Sequence, residues 1–358
     1  MKSAWRSGVA VVNLQVRPEE LTHPVVRPAL LLRDSGFDVH TVTRGDEHDR
    51  SELDGATVWV EPGTVATARR IGGLRPEFVF VESSTYGVML GPVGRRSWIR
   101  NPQLASDSRV RRVQRAGLHA FDAVSFTNPA EREPWTFSQR KYADLPYPVD
   151  VSWWRTPVER RESWWTDRGW SVPRGPVLVC NSAFERRKGH KQLLDALAPL
   201  MAADRSIVLV LFGHRWVEPD VWEMVNSRPS QLGIADQVLV TDWISYPEIR
   251  ELLAWTTLTI INSARETQCM AIYEALAAGV PTLISAIPEL TSQFPNLPAH
   301  GSVDELRSNA QRALGDPGLA RRLVDSSRAQ VEWADMARHD DVFHATLERL
   351  LGRSRVAA

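Results

Sequence analysis

Cysteine is nearly absent: two residues in a chain of 358 cannot build a disulfide framework or a cysteine-rich zinc site. Long apolar runs are missing too. The run from Val9 to Val12 is too short for a secretory h-region, and nothing later approaches the ~20 apolar residues of a membrane-spanning helix. Net charge is lacking, with 43 basic residues against 43 acidic. No global cationic field is there to gather nucleic acid. No Walker sequence or G-x-G-x-x-G occurs, which argues against an NTPase or a nicotinamide enzyme. No G-x-S-x-G elbow occurs either, which argues against a serine hydrolase. What is present is ordinary globular composition, 43% hydrophobic and 24% charged, in a length suited to two domains of roughly 100–200 residues each. These features lead us to expect a soluble protein of the reducing cytoplasm. The 14 tryptophans outnumber the 10 phenylalanines; core packing is the default for each, stacking on a ligand the alternative.

Short apolar runs alternate with helical stretches. Strands are expected at Val9–Leu14, Val39–Val42, Thr57–Val60, Glu77–Glu82 and Ala123–Phe126, with helices at Pro28–Ser35 and Arg109–Phe121. Leu145–Pro157 then holds three prolines and two adjacent tryptophans, which suits an extended connection. Beyond it, strands are expected at Pro176–Cys180, Ile207–Phe212, Val238–Thr241, Leu258–Asn262 and, last, Pro281–Ser285. Helices are expected at Lys191–Leu200, Pro247–Trp255 and Met270–Ala278, and a helical tail from Asp304 to about Leu351. Such alternation predicts parallel sheets with helices on both faces. The expected division is residues 1–150, residues 151–330, and a C-terminal helix, residues 331–358, packing back on the first domain. Ligands of such domains bind beyond the carboxyl ends of the strands.

Two stretches carry candidate chemistry. Arg186, Arg187, Lys188, Gly189 and His190 fall in one turn between a strand and a helix, where fixed cations and a helix N-terminus favour phosphate. The plain alternative is a solvated basic turn. The second stretch, Glu266 to Glu274 with the sequence ETQCMAIYE, follows a strand and enters a helix. Thr267, Gln268, Cys269 and Met270 offer consecutive N–H groups. Glu274 sits in an otherwise apolar helix, where a carboxylate needs a partner and could accept both hydroxyls of a diol. Cys180 reads as inert core. The arginines between Arg95 and Arg115 read as an exposed helix face. Trp153, Trp154, Trp164, Trp165 and Trp170 read as packing around the connection.

Arg187–Lys188–Gly189, the E-x₇-E pair Glu266 and Glu274, and the run EALAAGVP into Pro281 together resemble the retaining GT-B glycosyltransferases of glycosyltransferase group 1, also called family 4. The resemblance is specific over residues 176–290; the N-terminal half is similar to the family's acceptor domain only in pattern. It implies a GT-B architecture, two Rossmann-like doubly wound domains facing across a cleft. It implies transfer of a sugar, with retention and without a metal, from a nucleotide-diphosphate sugar to a small acceptor such as a natural-product scaffold. Lys188, Arg187 and Glu266 would be the catalytic group. The donor would be held by Arg186, Arg187, Lys188, Trp243, Ile244, Glu266, Thr267, Gln268, Cys269, Met270 and Glu274. Within that set the cations would meet the diphosphate, Glu266 the sugar, Glu274 the ribose diol, and Trp243 and Ile244 the nucleobase. Acceptor contacts would come from His23, Ser83, Arg100 and Asn101. No cofactor beyond the donor and no nucleic-acid or membrane partner is implied. The chain departs from the family at Asn13–Arg17, at Ser182 and Ala183, at Trp98–Pro102 and at Ser285–Glu289. Two alternatives stay open: a hydrolase or epimerase of nucleotide sugars on the same fold, and a catalytically silent sugar-nucleotide-binding partner protein, which the altered N-terminal loops motivate.

Overall fold

A computed structural model describes residues 8–14, 23–53, 56–82, 95–100, 112, 115–128, 137–138, 141–215 and 217–352. The chain divides into two compact units: Met1–Pro148 with Met336–Ala358, and Val149–Asp335.

Among its described residues the first unit carries an eight-stranded sheet. Its strands are β1 (Val9–Leu14), β2 (Asp38–Arg44), β3 (Asp49–Leu53), β4 (Ala56–Glu61), β5 (Phe78–Glu82), β6 (Arg96–Arg100), β7 (Ala123–Ser125) and β8 (Tyr142–Ala143). They run in the order β3-β4-β2-β1-β5-β6-β7-β8. All neighbours are parallel except β3, which pairs antiparallel with β4 at the edge. The apolar sequences VAVVNL of β1 and FVFVE of β5 suit strands covered on both faces. The polar β3 (DRSEL) is nearly all exposed, as an edge strand allows. The helix His23–Asp34 begins before the expected Pro28, which lies inside it; proline there removes one N–H donor but keeps a helical φ. A helix at Gly63–Leu74 was not expected. Of the expected helix Arg109–Phe121, residues 115–118 are helical and Leu118 is buried. The last helix of the unit, Met336–Leu351, buries Phe343, Leu347 and Leu350. The Phe343 ring stacks on Trp98 at 5.1 Å and meets Phe80 at 5.9 Å; each such side chain contributes about 1.5–3 kcal/mol.

The second unit has a six-stranded sheet among the described residues: β9 (Val177–Asn181), β10 (Val208–Phe212), β11 (Val238–Thr241), β12 (Leu258–Ile260), β13 (Thr282–Ser285) and β14 (Ala299–His300). All pairs are parallel, in the order β11-β10-β9-β12-β13-β14. The winding reverses between β9 and β12, so the crevice beyond those two strands is the binding position of a doubly wound sheet. Helices His190–Ala203, Pro219–Gln231 and Val303–Gly315 bury Leu193, Val221 and Leu306 in one core. Helices Tyr246–Trp255 and Met270–Ala277 bury Ile249 and Ile272 in the other. Ser245 and Glu248 form a capping box on the first of these, and Gly279, at φ 81°, follows the second.

Three expectations are corrected. β14 follows the strand expected to be last. Leu145–Pro157 is not extended throughout: Val151–Arg155 is a helix whose N-cap, Asp150, accepts the Trp153 N–H at 2.9 Å. The tail is four helices, broken first where Asp316 accepts the Leu319 N–H at 3.0 Å and Pro317 opens a new helix. Trp154, Trp164 and Trp165 are buried in the core of the second unit, as plain packing predicts. No helix among the described residues is long and apolar enough to cross a membrane.

Candidate active site

The turn after β9 and the loop after β12 meet in the crevice of the second unit. Arg186–Lys188 form a single 3-10 turn, closed by Gly189 at φ 64°. The loop after β12 lies against it: the Ala264 N–H donates to the Arg187 carbonyl at 2.7 Å, and Asn262 Nδ2 to the Gly189 carbonyl at 2.7 Å. This stitching places Lys188 Nζ 2.5 Å from Glu266 Oε1, although 78 positions separate them. Both side chains are largely buried, 11% and 7% exposed. Ser263 Oγ donates to the same Glu266 oxygen at 2.6 Å, and Arg187 Nη1 stands 3.7 Å from Oε2. A carboxylate so surrounded holds the ammonium in place, while the ammonium keeps further hydrogens for an anion.

Glu274 lies within the helix Met270–Ala277 and is 4% exposed. It makes no hydrogen bond or ion pair among the described residues, and burial pushes its carboxyl up to about 8. The Cys269 thiol is buried and pushed up, first by burial and then by the nearby Glu266 carboxylate; it is no nucleophile at neutral pH. Cys180, pushed up to about 11 chiefly by burial, is equally inert. The backbone of the intervening loop is anchored from behind. Gln293 Nε2 donates to the Thr267 carbonyl at 2.9 Å, and its Oε1 accepts the Tyr273 hydroxyl at 2.8 Å. Gln268 is buried in that loop.

Trp243 stands at the end of β11, stacked on His214 from the end of β10 at 4.8 Å and 15°. The Trp243 backbone N–H donates to Asp242 Oδ1 at 2.8 Å, and Ile244 beside it is buried. Arg186 does not join the group. Its guanidinium is 74% exposed and pairs with Asp220, so it is drawn to the helix Pro219–Gln231 rather than toward Glu266.

Of the residues expected to contact an acceptor, Ser83 and Asn101 lie outside the described residues, and so does the side chain of His23, whose backbone opens the helix His23–Asp34. Arg100 is corrected: it is fully buried and cannot present itself to an acceptor. Its Nε donates to Glu82 Oε2 at 2.7 Å, Nη2 lies 2.6 Å from the same oxygen, and Tyr147 Oη donates to Oε1 at 2.7 Å. His339 Nε2 stands 3.4 Å from Arg100 Nη1 and its Nδ1 3.1 Å from Asp340. Burial first, and Arg100 with it, lowers His339 to about 4, so the neutral ring accepts from the arginine and donates to Asp340. Sequence reasoning missed this chain of contacts, and it missed Asn262 and His300, which no local motif marks.

Among the described residues no cluster of three or more His, Cys, Asp or Glu side chains is arranged to hold a metal. Residues 170–329 match the family described as Glycosyl transferases group 1. The MMP alpha-(1->4)-mannosyltransferase of Mycolicibacterium hassiacum is 31% identical over 161 residues, 43% of this chain and 38% of that protein. The D-inositol 3-phosphate glycosyltransferase 1 of Catenulispora acidiphila is 29% identical over 119 residues, 31% of this chain and 28% of its own length. The chain thus spans less than half the length of these curated relatives. Among solved structures, sucrose-phosphate synthase from Thermosynechococcus elongatus has a TM-score of 0.77 at 16% identity, covering 98% of this chain and all of that one. Anabaena HepE in complex with UDP-glucose has a TM-score of 0.79 at 14% identity, covering 96% of this chain and 100% of its own. At such identities the likeness establishes the fold: an α/β chain of two Rossmann-like parallel-sheet units, the GT-B class expected from the sequence.

Proposed function

We propose that this chain is a glycosyltransferase that moves a sugar from a nucleotide-diphosphate sugar to a small acceptor, with retention at the anomeric carbon and without a divalent metal. The observation that carries this reading is the Lys188–Glu266 pair at the crevice beyond β9 and β12. Lys188, helped by Arg187, neutralises the diphosphate as it leaves. Thr267 to Met270 add backbone N–H groups at a helix N-terminus. Glu266 holds Lys188 and a sugar hydroxyl, and Glu274 accepts the two hydroxyls of the ribose. Trp243 and His214 offer a flat face to the base. In the step itself the bond from the anomeric carbon to the phosphate oxygen breaks. A bond to the acceptor oxygen forms on the same face, and the acceptor's proton passes to the departing diphosphate. Fixed charge and positioning supply the acceleration.

The names of the relatives support this reading, two of them being glycosyltransferases, as does the UDP-glucose held by a protein of the same fold. A thermal-shift panel of nucleoside diphosphates and nucleotide sugars tests it, since a ligand that binds only the folded chain raises its melting point. One nucleotide should give a clear shift, and its sugar conjugate should be consumed only with an acceptor, giving a product whose proton coupling shows the anomer retained. No shift with any nucleotide would overturn the reading. Donor consumed in water alone would make the chain a hydrolase.

A further inference from the structure

Asn262 joins two things that the sequence keeps far apart. Its Nδ2 is 2.7 Å from the carbonyl of Gly189, and its Oδ1 is 3.0 Å from His300 Nε2 at the end of β14. A backbone carbonyl only accepts, so the amide nitrogen must face Gly189 and the amide oxygen must face His300. That oxygen in turn only accepts, so the hydrogen of the imidazole sits on Nε2. Nδ1 is then bare, and it is buried with no hydrogen-bond partner among the described residues. His300 is 4% exposed. Burial lowers it to about 4, so the ring is neutral at pH 7, as this donor order requires.

Gly189 directly follows Lys188, and Asn262 directly precedes Ser263, which donates to Glu266. The Asn262 amide therefore joins the Ala264 N–H, which donates to the Arg187 carbonyl, in pinning the turn bearing the ammonium to the loop bearing its carboxylate. A cavity of about 370 Å³ lined by Gly189, Asn262, Ser263 and His300 opens beside them. On the cavity side the turn has open space, so its hold on the loop lies in the Gly189–Asn262 contact and the hydrogen bonds there.

We infer that His300 and Asn262 are positioning residues: His300 orients the Asn262 amide, which fixes the Lys188–Gly189 turn and so aims Lys188. This rests on the reading of Lys188 as the cation for the donor diphosphate. A preorganised charge loses much of its effect when displaced by about 1 Å.

Two readouts test it. The chain has four lysines, Lys2, Lys141, Lys188 and Lys191, so reductive methylation followed by mass spectrometry reports Lys188 against internal references without any nucleotide. His300→Leu and Asn262→Leu should raise the rate at Lys188 severalfold and leave Lys141 and Lys191 unchanged. His300→Gln, which keeps a donor, should stay near the parent rate. Asn262→Ser serves if the leucine variant does not fold. The second readout is the preference for a nucleoside diphosphate over the matching monophosphate, measured by calorimetry. It should fall roughly tenfold in the leucine variants and not in His300→Gln. An unchanged Lys188 rate in the folded variants overturns the inference whatever the nucleotide data say. A parent chain that binds no nucleotide overturns the donor reading instead and leaves the methylation result to decide the relay.

Discussion

The carbonyl oxygen of Asn262 stands where a side chain on Gly189 would begin: a Cβ there would lie 2.3 Å from it. Gly189 also has φ 64°, a region that costs other residues about 1–2 kcal/mol. Gly189→Ala therefore carries two penalties, and backbone cannot swing aside as a side chain can. Gly279, at φ 81° with open space around it, carries only the first. Urea unfolding should show Gly189→Ala losing more stability than Gly279→Ala, by about 1 kcal/mol or more. Equal losses would mean that the two loops are not held together as described.

Lys188→Met keeps the length of the side chain and removes its charge. If the ammonium acts on the departing diphosphate, turnover should fall by about 10²-fold or more while donor affinity falls far less. A matched fall in affinity with unchanged turnover would assign Lys188 to ground-state binding alone.

Glu274 gives a prediction with a definite sign. Its carboxyl, at 4.5 when exposed, is raised to about 8 by burial. Between those values the folded chain holds a proton that the unfolded chain has lost. The stability from this group is complete below the lower value and is lost as pH rises toward the upper one. Glu274→Gln should remove that loss and gain on the parent chain from about pH 5 to pH 8 in denaturant titrations. The ionised carboxylate offers both oxygens as acceptors, whereas protonation turns one of them into a donor, so nucleotide affinity in the parent chain should rise with pH over the same range, and calorimetry at pH 7 should detect proton release. A flat affinity would sink the diol assignment.

In the first unit, Arg100 and Glu82 are a buried pair with side-chain exposures of 0% and 4%. Arg100→Met leaves the Glu82 carboxylate with Tyr147, and should cost about 3–5 kcal/mol. Arg100→Met with Glu82→Met should recover much of it, because neither charge is then stranded. A double variant as unstable as the sum of the singles would show that the two do not act as a pair.

The second unit was the more legible half. β9, β10 and β13 are largely apolar runs with Pro or Gly at one end, and Gly279 marks where the helix Met270–Ala277 stops, one residue before its expected end. Elements were missed where that signal fails. β3 is polar because an exposed edge needs no apolar face, the helix Gly63–Leu74 contains two adjacent glycines, and Pro229 lies inside Pro219–Gln231. Val151–Arg155 reads as extended in the sequence because Pro148 and Pro157 flank it, while the Asp150 cap makes it a helix. At the site, the E-x₇-E spacing revealed Glu266 and Glu274, but spacing says nothing about partners 78 positions away. The resemblance implies an acceptor contact at Arg100, and nothing local in the sequence shows Glu82, 18 positions away, as its buried partner. Asn262 and His300 carry no local pattern, since what makes them matter is that β12 and β14 flank the same strand, β13.

The helix Met336–Leu351 completes a unit whose other residues end at Pro148. A ribosome delivers the strands bearing Phe80 and Trp98 long before it delivers Phe343. While the whole second unit is being made, those two rings wait without their cover. The nascent chain therefore carries that apolar slot uncovered until the helix Met336–Leu351 emerges. A ribosome stalled ahead of Met336 would hold a finished second unit beside a first that cannot close.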